Sequence, residues 1–187
     1  MKPTLEEYWR TDGYLWADAG LLLGAAFDPA ARTLKDYLAP VGIRFFTVDE
    51  LTDAHVPGFP NKLVPPPCAW PAAIVLLIIA DRLREAAGGP VKIRNWWRPE
   101  AYNKAVKGAA GSDHLWACAL DLDFTGFWAR RRAQREVLMP LWRDGRYMLS
   151  IGVGYRTLHV GCFAPETLRL GVQRQWRYGS LPKEERL

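Results

Sequence analysis

The clearest alternation of apolar and polar positions runs through residues 119–124, which read A-L-D-L-D-F. Successive side chains of a strand point to opposite faces of a sheet, so Asp121 and Asp123 share one face and the apolar side chains share the other. Two more short runs read as strands, Val91–Arg94 and Thr157–Gly161. The pattern predicts a small sheet with one apolar face and one face that carries carboxylates.

A long apolar run, Cys68–Ala80, continues into a charged segment and predicts a helix. Pro71 stands near its start and Gly88 follows its end, which are the positions that helix boundaries favour for these residues. The apolar part is shorter than the about 20 residues that a membrane-spanning helix needs. We therefore expect a helix buried in the core and no membrane span.

Weaker patterns mark the C-terminal half of the chain. Residues 127 to about 141 look helical, and Leu168–Val172 predicts an edge strand. The charged residues 183–186 predict a loose tail. The arginines of the helical segment are expected on or near an exposed face: Arg130, Arg131, Arg132 and Arg135.

The length of 187 residues favours one domain with a sizeable core. Residues 1–40 are interpreted as an N-terminal helical arm or extension, in which Thr4 and Glu7 have the spacing of a capping box. Residues 41–187 form the main domain. The chain starts without the basic residues and apolar run of an export signal, so we expect synthesis in the cytoplasm without a signal peptide.

The three cysteines are too few and too scattered for a disulfide framework. Cys68, Cys118 and Cys162 are expected to be small buried residues. Cys162 lies close to His159 and could act as a soft metal ligand, but on a strand it should face the other way. We therefore do not expect it to join a metal site.

Candidate metal ligands stand at the start of one predicted strand and within another. His114 and Asp121 have the spacing His-x6-Asp, and His159 lies in the run 157–161. Two histidines and one carboxylate fit a catalytic zinc site, which takes three protein ligands and keeps a fourth position open. This spacing also arises by chance, and Asp121 could instead be a buried carboxylate satisfied by backbone donors. His55 is expected to lie in a surface loop.

A set of ordered matches from about residue 44 to residue 162 supports the metal interpretation. Here the chain resembles the zinc D-Ala-D-Ala carboxypeptidase and L-alanyl-D-glutamate endopeptidase family, most closely the D-Ala-D-Ala carboxypeptidase C-terminal-domain type. The fold of this family is shared with the hedgehog signalling domain. The family motif S-x-H-x-x-G-x-A-x-D is matched in register by Ser112, His114, Ala119 and Asp121, with Ala117 in place of the glycine. An aromatic-Arg pair followed by an asparagine is matched by Trp97-Arg98 and Asn103, and residues 46–51 resemble a segment that often begins the module.

The resemblance implies an α+β fold in which a small antiparallel sheet carries the metal site and packs against helices. It implies that Zn²⁺ is bound by His114, Asp121 and His159, and that Arg98 contacts a peptide carboxylate or carbonyl beside the scissile bond. Further substrate-binding or loop-bracing residues are expected at Asn103, Ser112 and Tyr155. Ser112 is expected to brace the ligand loop, Asn103 to fix the turn of Arg98, and Tyr155 either to donate to an oxyanion or to pack at the start of a strand.

One departure from the family pattern concerns the proton acceptor. The family usually has a carboxylate three residues before the last histidine or two after it, where this chain has Arg156 and Gly161. Asp123 is then the nearest candidate for a catalytic carboxylate. Three weaker candidates are expected to be solvated surface charges: Asp113, Asp144 and Glu166. Either the acceptor comes from another position or hydrolysis has been lost.

The formal charge of +5 and the nine tryptophans suit either nucleic acid or anionic cell-wall polymers. No nucleic-acid motif accompanies them, so nucleic acid is the least favoured partner. The leading expectation is a peptidase that cuts peptidoglycan stem peptides at a bond involving a D-amino acid, plausibly a phage or prophage lysin that reaches the cell wall after lysis or by virion delivery. The alternative is a catalytically silent zinc-binding scaffold that serves as a cell-wall binding or virion structural module.

Overall fold

The computed structural model describes residues 4–22, 24, 26, 28, 30–179 and 181. The predicted loose tail at 183–186 and parts of the predicted N-terminal arm lie outside the described residues. Within the described part, no helix is both long and apolar enough to cross a membrane.

The sheet has five strands within the described residues, and it confirms the predicted α+β class. The strand order across the sheet is β1-β2-β4-β3-β5. All neighbours are antiparallel except β3 and β5, which are parallel. The strands are β1 (Val91–Asn95), β2 (Ala119–Phe124), β3 (Ser150–Val153), β4 (Thr157–Gly161) and β5 (Arg174–Arg177).

The helices are mostly short. A π-helical segment, Gln134–Leu138, lies between two of them, and 3₁₀ turns cover Ala39–Val41, Pro67–Ala69 and Asp113–Trp116. The α-helices are α1 (Leu5–Thr11), α2 (Tyr14–Leu22), α3 (Leu34–Leu38), α4 (Val48–Thr52), α5 (Trp70–Ala87), α6 (Glu100–Ala105), α7 (Phe127–Ala133), α8 (Met139–Asp144) and α9 (Pro165–Leu170).

Helix α5 is the core helix that the apolar run predicts. Pro71 lies in its first turn, and Gly88 ends it in the left-handed region at φ 67°. Glycine has no Cβ to clash in this conformation, and its N–H caps the carbonyls of Arg84 and Glu85. Most of the apolar side chains of α5 are buried, so the helix forms the centre of the hydrophobic core.

The arginine-rich segment is helical as predicted, but one arginine is not exposed. The Arg130 side chain is fully buried, and its Nη1 donates to Gln134 Oε1 over 2.7 Å. Its guanidinium also lies 5.1 Å from the centre of the Phe127 ring. These contacts give a buried cation the hydrogen bonds and the aromatic face that it needs, which the charge pattern alone does not reveal.

The predicted edge strand at Leu168–Val172 is wrong. Pro165 begins helix α9, and Gly171 ends it in the left-handed region at φ 66°. Proline in the first turn and glycine after the last turn are strong helix signals, and they outweigh the apolar alternation between them. Strand β5 forms this edge of the sheet, and it begins at Arg174, two residues after the end of the predicted strand.

Helix α1 begins with the predicted capping box: Thr4 Oγ1 accepts from the Glu7 N–H, and the Glu7 carboxylate accepts from the Thr4 N–H. The helix docks on the rest of the protein through Tyr8, whose hydroxyl donates to the Phe163 carbonyl over 2.8 Å. Trp16 Nε1 in turn donates to that hydroxyl over 3.0 Å. The described part of the N-terminal region therefore shares the core of the main domain.

The cysteines follow the prediction at two of three positions. Cys118 and Cys162 are buried, whereas Cys68 is exposed, so its predicted burial is wrong. Cys68 lies in the 3₁₀ turn before α5, where the apolar run has not yet entered the core.

Candidate metal centre

One row of residues crosses the whole sheet and carries the centre of the site. In this row Asn95 pairs with Asp121, Asp121 with His159, His159 with Gly152, and Gly152 with Trp176. Residues that lie directly opposite each other in neighbouring strands share a face. The register therefore places the carboxylate of Asp121 beside the imidazole of His159.

His114 reaches the same place from the 3₁₀ turn that precedes β2. Ala117 ends this turn in the left-handed region at φ 58°, and the next residue leads into β2. The turn brings the His114 ring edge-on to the His159 ring, with ring centres 4.9 Å apart and planes at 82°. The structure thus brings together the three residues that the sequence selects as ligands, as a group that could hold a metal ion.

The distances identify the atoms that face one another. Asp121 Oδ1 lies 3.1 Å from His114 Nε2 and 3.1 Å from His159 Nδ1. One ligand atom from each of the three residues lies within 4.8 Å of the others. Nitrogen and carboxylate atoms grouped at this spacing could share one zinc ion.

The remaining ring nitrogens have partners outside the cluster. His114 Nδ1 lies 2.6 Å from the carbonyl oxygen of Trp96, and His159 Nε2 lies 3.3 Å from Asp113 Oδ2. Because both partners are acceptors, each of these nitrogens can donate to its partner and leave the nitrogen that faces Asp121 for a cation. His159 Nδ1 also lies within hydrogen-bond distance of a carboxylate, so without a metal it carries a proton that a bound cation would displace.

His114 Nε2 supplies a direct test of whether a metal fits. This atom is buried and has no hydrogen-bond partner among the described residues, despite its distance of 3.1 Å from Asp121 Oδ1. A buried nitrogen without a partner is costly, whereas a bound cation would satisfy it. The donor set and this orphaned atom both fit zinc.

The charges around the cluster shift the pKa values of its members. Burial lowers the pKa of His114. Burial also opposes charge on His159, but its hydrogen bonds to Asp113 and Asp121 prevail and raise its pKa to about 9. Burial acts in the raising direction on Asp121, and the two histidines outweigh it and hold the Asp121 pKa well below its usual range. The carboxylate is thus ionised, as metal binding requires.

Arg98 is tied to both sides of the ligand set. Its backbone N–H donates to the His114 carbonyl over 3.0 Å, and its Nη2 donates to Asp121 Oδ2, the oxygen that does not face the histidines. Only 12 % of the Arg98 side chain is exposed, and it lines the cavity over the cluster. The sequence predicted a substrate contact, and the structure adds a contact with a candidate ligand.

A cavity of about 380 Å³ opens above the three candidate ligands. Its far wall is formed by Trp176 and Tyr178, which sequence reasoning missed because the edge strand was placed too early. Gly152 makes this wall possible, since a Cβ there would lie 2.7 Å from atoms of both rings. The cavity is lined by Arg98, Lys107, Gly108, Ala109, Gly111, Ser112, Asp113, His114, Asp121, His159, Arg174, Trp176 and Tyr178.

Asp113 is not the solvated surface charge that the sequence predicted. It is buried, with 3 % of the residue exposed, because the 3₁₀ turn directs its side chain into the site. Ser150 Oγ donates to its Oδ2 over 2.5 Å, and Arg174 Nη2 donates to its Oδ1 over 2.5 Å. Burial acts in the raising direction on its pKa, but the bond from His159, then those from Ser150 and Arg174, lower it to about 2.

Asp123 shares a face with Asp121, as predicted, but its carboxylate is held by two arginines. Arg156 approaches with Nε 2.6 Å from Oδ1, and Arg94 with Nη2 2.5 Å from Oδ2. The hydrogen bond from Arg156 is the main cause that lowers the Asp123 pKa to about 2. Asp123 does not line the cavity over the ligands. Its contacts favour a bracing role over the proton transfer expected from the sequence.

The three predicted substrate-binding residues lie in different places. Ser112 lines the cavity just before the turn that carries His114. Asn103 is buried behind the cavity wall, where its Nδ2 donates to the Ala109 carbonyl over 3.0 Å. Tyr155 is exposed in the turn between β3 and β4, packs on the Phe127 ring and does not line the cavity.

The sequence profile described as Peptidase M15 matches residues 46–160, which is more than half of the chain. The chain belongs to the peptidase M15 family. This family comprises zinc-dependent metallopeptidases, and the matched segment contains Arg98 and all three candidate ligands. No curated protein matches the chain.

The family match ends before β5. Arg174, Trp176 and Tyr178 therefore line the M15 site from outside the matched segment. The ligand cluster lies within the matched segment, and this wall of the cavity lies outside it.

Proposed function

We propose that this M15 protein is a zinc-dependent peptidase that hydrolyses peptidoglycan stem peptides at a bond involving a D-amino acid. The observation that carries the proposal is the cluster of His114 Nε2, Asp121 Oδ1 and His159 Nδ1 on the floor of an open cavity. Three protein ligands beside open space are the pattern of a catalytic zinc site. A structural site would close the fourth position with a protein ligand.

When bound, zinc supplies a Lewis acid that polarises a carbonyl and lowers the pKa of bound water. Two sets of contacts orient the candidate ligands for zinc. Trp96 and Asp113 each face the ring nitrogen that points away from Asp121, which leaves the other nitrogen of each imidazole for the ion. Arg98 holds the second oxygen of Asp121, which leaves Oδ1 to face the histidines.

Cationic side chains around the cavity suit an acidic peptide. Arg98, Lys107 and Arg174 all line it, and stem peptides carry free carboxylates. A guanidinium offers fixed donors to a carboxylate or to a developing oxyanion. Arg98 therefore orients the peptide beside the ligands, and the Asn103–Ala109 bond holds the loop that forms the near wall, which Ser112 also lines.

The sequence suggested Tyr155 as a hydrogen-bond donor to an oxyanion, and we assign that role to Tyr178 instead. Tyr178 lines the cavity, whereas Tyr155 packs on Phe127. Burial raises the pKa of the Tyr178 phenol, so it stays protonated at neutral pH and remains a hydrogen-bond donor. Such a donor stabilises charge that develops on the carbonyl oxygen.

A second candidate function is a zinc-binding scaffold without peptidase activity. This alternative is supported by the contacts of the carboxylates around the site. Asp113, Asp121 and Asp123 each accept a hydrogen bond from an arginine. Hydrolysis needs a proton acceptor, and an arginine partner makes a carboxylate a weaker base. Such a scaffold would serve as a cell-wall binding or virion structural module. In either role we propose a phage or prophage setting in which the protein reaches the wall after lysis or on the virion.

Digestion of purified peptidoglycan with mass analysis of the fragments tests the proposal. The samples are the zinc-loaded wild type, a chelated sample, His114→Ala and the matched pair Tyr178→Phe and Tyr155→Phe. We expect fragments from the wild type and from Tyr155→Phe, fewer from Tyr178→Phe, and none from the chelated sample or from His114→Ala. Loss of a single terminal residue would identify a carboxypeptidase, and an internal cut an endopeptidase. Intact peptidoglycan despite bound zinc would reject the peptidase in favour of the scaffold.

A further inference from the structure

Asp113 and Gly161 lie together on the site face of the sheet, directly behind His159. Gly161 pairs with Ser150 of β3 and with Ala119 of β2, two residues along the strands from the row that contains Asp121 and His159, so the two rows share a face. The Asp113 carboxylate enters this place from the 3₁₀ turn. We propose that Asp113 is a positioning residue that fixes the His159 ring for zinc, and that Gly161 lacks a side chain so that this carboxylate can lie there.

Every oxygen of Asp113 has a fixed direction. Oδ1 accepts from Arg174, and Oδ2 accepts from Ser150 and faces His159 Nε2 at 3.3 Å. Because Arg174 and Ser150 hold the Asp113 carboxylate, it cannot move with the His159 imidazole when that ring rotates. The orientation of His159 is therefore set by groups that never touch the metal, which is how outer partners tune a metal ligand.

The opposite side of the ring is also constrained. The Trp176 ring packs on His159 with centres 4.9 Å apart. His159 thus lies between an aromatic face and a carboxylate, and a rotation of its ring would lose the contact with Asp113. Nδ1 is left as the nitrogen that faces Asp121.

Because position 161 of β4 is a glycine, it leaves the space on the sheet that the Asp113 carboxylate occupies. A Cβ at position 161 would lie 2.9 Å from Asp113 Oδ2, 2.2 Å from Ser150 Oγ and 3.3 Å from the Cys118 carbonyl oxygen. Any side chain there would push the Asp113 carboxylate and its donor Ser150 out of place. The reason for glycine is close approach, because the backbone angle at 161 is not in the left-handed region.

The inference rests on the proposed zinc site and is tested by zinc affinity instead of hydrolysis. Full-length wild type, Asp113→Ala and Asp113→Asn are titrated with zinc against a chromophoric chelator. We expect a roughly 10–100-fold weaker affinity in both variants, the cost typical of a lost outer-shell partner. Asp144→Ala removes an exposed carboxylate that pairs with Arg146 and is the matched control, with affinity within twofold of the wild type.

The proton spectrum of cobalt-substituted protein reports on the His159 ring itself. If Asp113 were only structural, its loss would leave the His159 signal unchanged. The N–H protons of ligating imidazoles are shifted out of the main proton spectrum by cobalt, so the wild type should show one for His114 and one for His159. In Asp113→Ala we expect the His114 signal, which depends on the Trp96 carbonyl, to remain. The His159 signal should move or exchange with solvent.

Gly161→Ala tests the same idea with Asp113 intact, and it applies even if Asp113→Ala fails to fold. We expect weaker zinc binding and a displaced His159 signal, whereas Gly126→Ala, with open space around its Cβ, should leave both unchanged. Wild-type affinity with both signals intact in Asp113→Ala, or in Gly161→Ala, would overturn the proposal.

The two proposals fail in different ways. Wild type that binds zinc and leaves peptidoglycan uncut would reject the peptidase and leave the role of Asp113 standing. Equal affinity in wild type and variants would reject that role even if hydrolysis is seen. Wild type that binds no zinc would overturn both.

Discussion

Arg156, in the turn before β4, and Asp123, in β2, form a two-point ion pair, with Nε 2.6 Å from Oδ1 and Nη2 2.7 Å from Oδ2. Arg156 stands three residues before His159, where the family resemblance led us to look for a carboxylate. The structure has an arginine there that holds the second aspartate of β2. Together with Arg94, it joins strands β1 and β2 to the turn before β4 on the site face.

The first prediction concerns pH. The folded-state pKa of Asp123 is about 2, below the roughly 3.9 of an unfolded chain, so its contribution to stability is complete above about pH 5 and is lost as pH falls through 3.9 toward 2. Because both arginines are about half exposed, we expect Asp123→Asn to cost only about 1 kcal/mol at pH 7. Urea unfolding of both proteins should show this difference shrinking between pH 5 and pH 3. A difference that grows with acid would contradict the ion pair.

The second prediction concerns the ligands themselves. His114→Ala and His159→Ala each leave two of three ligands, so zinc affinity should fall by more than the roughly 10–100-fold typical of an outer partner. Metal analysis after gel filtration measures this directly. His55→Ala is the matched control, because His55 is exposed and lies outside the cluster, and it should retain stoichiometric zinc.

The third prediction concerns the wall of the cavity. Gly152→Ala would place a methyl group 2.7 Å from the rings of Trp176 and Tyr178. Both rings must shift, and because Trp176 is half-buried and Tyr178 is exposed, we expect a cost of about 1 kcal/mol, the lower end for overpacking. Thermal unfolding and tryptophan fluorescence should both change. The same substitution at Gly126 has open space and should leave both signals as in the wild type.

The fourth prediction concerns the docking of helix α1. Tyr8→Phe removes a buried hydroxyl that donates to the Phe163 carbonyl and accepts from Trp16 Nε1. Buried groups left without partners cost about 1–3 kcal/mol, so the free energy of unfolding should fall by that amount. Tyr155→Phe at an exposed position should change it by less than about 0.5 kcal/mol. Equal stability of the two variants would argue against the docking.

The fifth prediction uses thiol chemistry. A small alkylating reagent should modify the exposed Cys68 under native conditions and spare the buried Cys118 and Cys162. Burial raises the pKa of both buried thiols, which further suppresses the reactive thiolate. Intact mass should therefore show one adduct in the folded protein and three after denaturation.

The strand that carries Asp121 could be read from the sequence because its alternation is regular and local. The same holds for helix α5, whose ends are marked by Pro71 and Gly88. The spacing of His114 and Asp121 and the small number of histidines suggested the ligand set, and the resemblance to a known family then implied it. These features depend on short segments, so they need no knowledge of the tertiary structure.

The surroundings of the ligands could not be read in this way. Asp113 is buried only because Ser150 and Arg174, 37 and 61 residues away, fold against it. Trp176 belongs to the site only because β5 lies parallel to β3 at the sheet edge. Long-range pairing of this kind leaves no local periodicity, and a helix with strong end signals occupies the segment where the strand was expected.

The hydrogen bond from Tyr8 to Phe163 joins residues 155 positions apart. Tyr8 also contacts Cys118 and Trp116, so the first described helix backs the turn that carries His114. Contacts between segments so distant in sequence carry a high loop-closure entropy and slow the search for the native state. We therefore expect the ligand turn to be completed late in folding, after the sheet has formed, so that a refolding chain acquires its metal affinity later than its secondary structure.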